Sequence, residues 1–228
     1  MPALARARAD ALAWLARELG RREAWDEGIE AARNACVGGA SLAAGAIAAA
    51  AYYDNPLTGA PALRECLERL GPLPLALEDW RAALAPRPHP AADGRGVTPG
   101  FGFVAPGREG VFFAALARWV ERAPSAPRGR FLLAHHATLE PLTGPLNAAG
   151  LAALACADCD LDADEAERRF LLCKLESALD EAQKAQRLGL RAIPFDGVRY
   201  VYEGTLPAPR ARDRAALLRR LGLTEDDG

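Results

Sequence analysis

The sequence predicts a mainly α protein, on two observations. Apolar residues recur at spacings of three and four along most of the 228 residues, with charged side chains on the opposite face of each segment. β-prone runs flank a tight turn in residues 191–204 (RAIPFDGVRYVYEG), where Asp196-Gly197 is typical of a hairpin. We therefore expect a helical fold that carries a short C-terminal β-hairpin.

The helical segments follow one another with short breaks. The Pro- and Gly-rich stretches 85–102 and 123–129 are the natural boundaries, and no internal repeat is visible. The eighth segment begins at a capping box formed by Asp162 and Glu165 and is closed by Gly189. In chain order, the periodic segments cover residues 3–19, 24–53, 61–70, 77–85, 108–123, 129–140, 144–158, 163–188 and 210–221.

Residues 35–53 (ACVGGASLAAGAIAAAAYY) carry no charge. Their number approaches a bilayer span, but insertion of Ala and Gly is weakly driven, so we expect a buried helix and no membrane segment. Small side chains let another helix approach closely, and two such helices can meet across a subunit interface. This segment therefore favours a homodimer.

Composition narrows the classes of function. The formal net charge is -2, and arginines alternate with acids along the helical faces, so no footprint for nucleic acid emerges. The N-terminus alternates Ala with Arg and Asp and lacks the apolar core of a signal peptide, which favours a cytoplasmic location. The five cysteines are an odd number, which favours reduced thiols.

Two patterns resemble metal or redox motifs. Cys156 and Cys159 form a CxxC, but the chain has three histidines and no second ligand pair at a matching spacing. We interpret both cysteines as small hydrophobic residues at a helix end. The aspartates within 160–164 resemble a calcium loop, but Glu165 and Leu171 stand where an EF-hand needs Gly and Glu. We therefore expect no metal site.

Four stretches in chain order carry a family resemblance: ACVGGASLAAGAIAAAA, GVTPGFGF, GPLNAAGLAALACADCDLDADEAERRFLLCKLESALDEA and RYVYEG. Together they resemble the citrate synthase superfamily, including its short citryl-CoA lyase-like members, from about Asn34 to Gly204. The resemblance implies a citrate synthase-like helical fold, a homodimer, and a cleft for coenzyme A (CoA) thioesters between large and small subdomains. It implies a single unit over 1–228, with the small subdomain at roughly 97–190 and the large subdomain formed by the remainder.

The resemblance also implies a ligand-binding loop. In that family a Pro-Gly-Phe-Gly loop wraps the adenine end of CoA largely through backbone groups, a mode that tolerates side-chain changes. The corresponding residues here are Val97, Thr98, Pro99, Gly100, Phe101 and Gly102. A purely structural loop is the alternative, because glycine and proline also serve a tight turn.

The positions that carry the family's chemistry are substituted. That chemistry uses a carboxylate and two histidines to form and use an enolate. By the resemblance the histidines fall on Val37 and Phe103, and the aspartate falls on Ala149, or on Gly150 with a different gap. These side chains bear no charge and move no proton, so we expect the standard reaction to be lost. Phe103 is interpreted as an aromatic plug in the loop.

Other residues can replace the lost chemistry. His136 and Glu140 are four apart and share one face of a predicted helix, so the carboxylate can orient or charge the imidazole. Arg108, just after the loop, is a candidate partner for an anion. A surface ion pair and a solvated arginine are the alternative readings.

Three functions follow as hypotheses. The first is a lyase or synthase that makes or breaks a carbon-carbon bond in an acyl-CoA, with His136, Glu140 and Arg108 as its reactive groups. The second is a non-catalytic regulatory protein that senses a CoA thioester or pairs with an active homologue. The third is a scaffold whose cleft is filled by Phe103 and Val37. The expected partners are an acyl-CoA or a carboxylate, and a second copy or a homologue.

Overall fold

The computed structural model of the chain describes residues 2–20, 26–37, 39–92, 94–104 and 110–188. Within these ranges the protein is mainly helical, as the sequence predicts. The nine helices of these ranges are α1 (Pro2–Leu19), α2 (Glu27–Val37), α3 (Leu42–Tyr53), α4 (Ala60–Leu70), α5 (Leu77–Leu84), α6 (Val111–Arg122), α7 (Pro127–Thr143), α8 (Ala148–Asp158) and α9 (Ala163–Leu188). A two-stranded antiparallel ladder joins β1 (Arg87–Pro88) to β2 (Gly96–Val97), with a short 3-10 turn, Pro90–Ala92, between them.

The expectation of one helix over residues 24–53 is wrong. The chain breaks between α2 and α3, where Gly39 adopts a φ of 87°, a left-handed conformation that ends a helix. Ser41 then caps α3, because its hydroxyl accepts a hydrogen bond from the Ala44 N–H at 3.2 Å. The helix is also not buried on all sides, since Ile47 at its centre is 70% exposed.

The strand pair lies where the sequence indicated an irregular boundary. β1 and β2 pair Arg87 with Val97 and Pro88 with Gly96, and the His89 N–H donates to the Arg95 carbonyl at 3.2 Å. The ladder is held by local backbone hydrogen bonds and needs no side chains of high β-propensity. The β-propensity of the sequence therefore did not indicate it. The predicted hairpin at 191–204, the helix at 210–221 and Gly189 lie outside the described residues.

The larger of two hydrophobic clusters is built around α8. Every residue from Ala149 to Asp158 is buried, and α8 packs against α4, α6 and α7. Its side chains are mostly Ala, Leu and Cys, which allows these close approaches. The large side chains of the cluster, such as Trp80 and Trp119, come from the surrounding helices.

The last residue of α8 also fixes the start of α7. The Asp158 carboxylate accepts hydrogen bonds from the backbone N–H groups of Arg128 at 2.8 Å and Gly129 at 3.1 Å, and from the Trp119 indole at 3.3 Å. Burial raises the pKa of Asp158, and these donors oppose that rise. The carboxylate thus caps α7 from another helix and sets the position of the side chains further along α7.

A second, smaller cluster joins α2 and α3 to the C-terminal half of α9. Its buried members are Ile29, Ala32, Cys36, Ala49, Tyr53, Ala178, Ala182 and Ala185. Beside it lies an ion pair between Lys174 Nζ and Asp26 Oδ2 at 2.7 Å, and Lys174 is 5% exposed. Burial alone raises the pKa of Asp26, but the Lys174 charge and the surrounding donors leave it below its usual value.

The chain divides into two compact units, Met1–Ile193 and Pro194–Gly228, and the described residues belong to the first unit. Its larger hydrophobic cluster draws residues from both sides of position 97, such as Leu63 and Leu154. Among the described helices, none has both the length and the apolar character needed to cross a bilayer.

Candidate functional site

The predicted binding loop begins as a buried turn. The Thr98 hydroxyl donates to the Leu84 carbonyl at 2.8 Å, and the Phe101 N–H donates to the Thr98 carbonyl at 3.0 Å. Gly100, at the tip of this turn, has a φ of 82°, which explains the glycine. Val97, Thr98, Pro99, Gly100 and Phe101 are all buried. The first part of the loop is therefore a component of the core.

The loop is fastened to the start of α8 by a clamp centred on Asn147. Its backbone N–H donates to the Gly100 carbonyl at 3.1 Å, and its side-chain amide donates to the Gly102 carbonyl at 3.3 Å. The side-chain oxygen of Asn147 caps α8 by accepting from the Gly150 N–H at 3.1 Å. The Gly102 N–H donates to the Pro145 carbonyl at 2.7 Å, which completes the attachment.

Two glycines allow this close approach. A Cβ atom on Gly100 would lie 2.8 Å from the Cα of Gly150 and 2.9 Å from the sulfur of Cys66. Only glycine leaves room for the loop backbone against the helix backbone at these two positions. The Ala149–Gly150 pair, which the resemblance aligns with a catalytic aspartate, therefore has a packing role at the base of the loop.

These bonds limit what the loop backbone can offer a ligand. The carbonyls of Thr98, Gly100 and Gly102, and the N–H groups of Phe101 and Gly102, are engaged within the chain. A ligand would meet the loop chiefly at its exposed end, beginning with Phe103.

Phe103 has an unusual conformation. Its φ is 49°, in the left-handed region that a bulky non-glycine residue rarely adopts, and its side chain is 56% exposed. The clamp on Gly102 holds the backbone that precedes Phe103. Phe103 does not fill a cleft within the described residues, which differs from its interpretation as a plug.

The three positions that the resemblance aligns with catalytic residues fall on two parts of the fold. Val37 ends α2 and packs against the smaller hydrophobic cluster, whereas Ala149 is fully buried in the larger cluster. Phe103 is exposed on the loop. It directly follows Gly102, which is hydrogen-bonded to Asn147 near the start of α8. The structure thus brings none of them together as a reactive group.

The His136–Glu140 pair forms as the spacing predicts. Nε2 of His136 lies 3.3 Å from Oε2 of Glu140, and both side chains are partly exposed. Phe113 of α6 stacks on the imidazole with ring centroids 3.7 Å apart. The pair is connected to the loop, because the Glu140 carbonyl accepts from the N–H of Gly144, and a Cβ atom on Gly144 would lie 3.3 Å from the Cα of Gly102. Arg108 lies outside the described residues.

The CxxC cysteines are buried and unpaired. Burial is the main cause that raises the pKa of Cys156 to about 12 and that of Cys159 to about 11, so both thiols stay protonated at neutral pH. In the part of the chain that the structure describes, no group of three or more His, Cys, Asp or Glu side chains is placed to hold a metal ion.

Sequence reasoning missed a cavity of about 780 Å³ between α1, α8 and α9. One wall is the face of α1 that carries Ala5, Ala9, Ala13 and Ala16, and the opposite wall includes Phe170 of α9. Alanines at spacings of three and four along one helix face leave space beside a neighbouring helix. That spacing was the available signal in the sequence.

Comparison of the chain with protein-family models, with curated proteins and with solved structures found no match. The structure by itself defines a helical protein built around a fully buried α8. Its most distinctive surface feature is a glycine-rich loop that is fastened to that helix and ends in an exposed phenylalanine.

Proposed function

We propose that this protein is a citrate synthase-like binder of CoA thioesters that does not carry out the standard synthase or lyase reaction. The observation that carries this proposal is Phe103, an exposed aromatic ring held at positive φ by a fastened loop. Strained backbone at an exposed position is typical of ligand sites. A planar ring fixed in place offers a stacking surface for adenine, and stacking of one base contributes about 1–3 kcal/mol.

The absence of standard catalysis follows from the side chains. Val37, Phe103 and Ala149 cannot move a proton, and each positioned acid or base contributes about 10²–10⁴-fold to a rate. His136 and Glu140 form a pair that can exchange protons, and the enzyme hypothesis rests on this pair and on Arg108 of the sequence. An altered activity would therefore depend on His136.

The test is calorimetric titration with CoA, acetyl-CoA and pantetheine, which lacks the adenine. We expect saturable binding of both CoA compounds and much weaker binding of pantetheine. Phe103→Ala is expected to weaken CoA binding about tenfold or more, the equivalent of one lost stacking contact. Leu75→Ala is the matched control, since Leu75 is also an exposed apolar residue and lies between α4 and α5.

Two outcomes would contradict the proposal. If millimolar CoA produces neither heat nor a thermal shift, the proposed binding function is refuted. If Phe103→Ala binds CoA as tightly as the wild type, the proposed stacking role of Phe103 is refuted. Release of CoA from acetyl-CoA in the presence of oxaloacetate, if abolished by His136→Ala, would favour the enzyme hypothesis.

The regulatory or scaffold function is a second candidate, and the exposed face of α3 favours it. Ala43, Ile47 and Ala51 are exposed at spacings of four in a helix without charged side chains. A second copy of this helix can pack closely on such a face, because small side chains let helix backbones approach. The partner would be another copy of this chain or an active homologue.

We expect Ile47→Lys to convert a dimer into a monomer in light scattering after size-exclusion chromatography. The lysine would have to lose its hydration at the centre of the contact, whereas Leu75→Lys changes an exposed leucine elsewhere and should leave the dimer intact. A monomeric wild-type protein at high micromolar concentration would refute this interface.

A further inference from the structure

The cavity between α1, α8 and α9 lies apart from the loop and takes no part in the proposed function. Its volume of about 780 Å³ falls in the range of about 300–1,000 Å³ that is usual for small-molecule sites. We propose that it binds an unbranched hydrocarbon chain bearing a carboxylate, with the chain against α1 and the cysteines of α8 and the carboxylate at Arg8 and Arg169.

The floor of the cavity, which is its side formed by α8 and α9, suits a hydrocarbon chain. It is lined by Ala152, Cys156, Cys159, Phe170 and Cys173, among other apolar side chains. The Cys173 thiol donates to the Ala16 carbonyl at 2.7 Å, so its hydrogen is directed at the backbone of α1. Burial also raises the pKa of each of these three thiols, which keeps the floor uncharged at neutral pH.

The rim of the cavity carries three arginines, whose charges are offset by the carboxylates of Asp160, Glu165 and Glu176. Arg8, Arg168 and Arg169 line it together with one acid, Glu176. Arg168 and Arg169 share the single carboxylate of Glu165. The Nε of Arg168 lies 2.8 Å from its Oε2, and the Nε of Arg169 lies 2.6 Å from its Oε1. Two guanidinium groups on one carboxylate leave donors for a second anion, and guanidinium groups suit carboxylates in particular.

Arg8 gives a second, independent indication. Its Nη2 donates to the exposed carboxylate of Asp160 at 3.0 Å, while its Nε is buried and has no acceptor among the residues that the structure describes. A buried donor without a partner is costly in a folded protein. A small rotation of the guanidinium toward a bound carboxylate would satisfy this donor, so the ligand would supply a partner that the described residues do not.

Exposed apolar residues at the mouth extend the hydrophobic path. Leu4 and Leu172 line the cavity and are both more than half exposed. Their exposure to water costs free energy that contact with a hydrocarbon chain would recover. The proposed ligand would place its carboxylate at the arginines of the rim. Its hydrocarbon chain would lie between these leucines and the alanine face of α1.

The test uses dodecanoate below its micelle concentration, with calorimetry and intrinsic fluorescence as readouts. We expect one site per chain, and weak or no binding of dodecyltrimethylammonium, which has the same chain and the opposite charge. Arg8→Gln and Arg169→Gln should each weaken dodecanoate binding about tenfold, the usual effect of losing a charge-assisted hydrogen bond. Arg17→Gln is the control, because Arg17 is exposed on α1 and does not line the cavity.

A steric variant tests the location. Ala13 is exposed on α1 and lines the cavity, so Ala13→Trp should fill the space and abolish binding while the fold is kept. Ala82→Trp, at an exposed position of α5, is the matched control. Phe103→Ala should leave dodecanoate binding unchanged, because Phe103 does not line the cavity.

Three results would overturn the proposal: no saturable binding of dodecanoate to the folded protein, equal binding of the cationic analogue, or unchanged binding in Ala13→Trp. The first would favour an apolar segment of a partner protein as the occupant.

Discussion

Lys174→Met is expected to lower the free energy of unfolding by about 3–5 kcal/mol, the usual cost of removing one partner of a buried ion pair. Lys174 Nζ lies 2.7 Å from Asp26 Oδ2 and 3.1 Å from the Leu19 carbonyl. The same Asp26 accepts from the Tyr53 hydroxyl and from the first N–H groups of α2. Methionine would fill the space but leave the carboxylate without its cation, and urea denaturation measures the loss.

Lys184→Met is the control for this prediction. It makes the same substitution in the same helix, but Lys184 is 53% exposed, and its pair with Glu181 is expected to contribute about 0–1 kcal/mol. Equal losses from the two variants would refute a structural role for the buried pair.

The dependence on pH gives a second check. The pKa of Asp26 is lower in the folded state than its usual 3.8, so its contribution to stability is present above that value and is lost as the pH falls through the folded pKa. In Lys174→Met, Asp26 is buried without its cation, so its pKa rises. Acidification then protonates Asp26 and removes the cost of an unpaired buried charge in the variant. The difference in unfolding free energy between wild type and variant should therefore shrink from neutral pH toward about pH 4.

Gly150→Ala is expected to cost about 3 kcal/mol or more, because the added methyl group has no space to enter. A Cβ at this position would lie 2.8 Å from the carbonyl carbon of Gly100 and nearer still to its oxygen. These are backbone atoms of a loop that Asn147 fastens, so relief requires the loop to leave α8. Thermal unfolding measures the cost, and CoA titration of the folded fraction reports on the loop.

Gly110→Ala provides the comparison, since a Cβ there meets no heavy atom of the described residues within 4 Å and the φ of Gly110 is -91°. We expect it to cost less than about 1 kcal/mol, the difference between glycine and alanine at the start of a helix. A Gly150→Ala protein as stable as Gly110→Ala would show that the loop is not tightly held.

Helices such as α4 and α6 were predictable because each buries one face, and burial of one face imposes a period of three to four residues. The break between α2 and α3 was missed, although Gly39 and Ser41 are a stop and a start signal, because the uncharged run on both sides masked them. The predicted capping box is partly formed in the structure: the Asp162 carboxylate accepts from the Glu165 N–H at 2.8 Å.

The candidate site was predictable where it depends on local spacing and obscure where it depends on distant contacts. His136 and Glu140 meet because four residues make about one helical turn. The attachment of the backbone just before Phe103 includes a hydrogen bond from Asn147 to Gly102, which no local pattern encodes. The cavity depends on how α1 sits against α9, and that arrangement is set by packing of the whole cluster.

The long helix α9 has a further consequence, because it is shared by both hydrophobic clusters. Its first half, with Phe170, belongs to the larger cluster, and its second half, with Ala178 and Ala182, holds α2 and α3. The smaller cluster has far fewer buried members, so we expect α2 and α3 to detach in a partial opening that costs less than global unfolding. Amide hydrogens of α3 should then exchange with solvent well before those of α8, and the two halves of α9 should exchange at different rates.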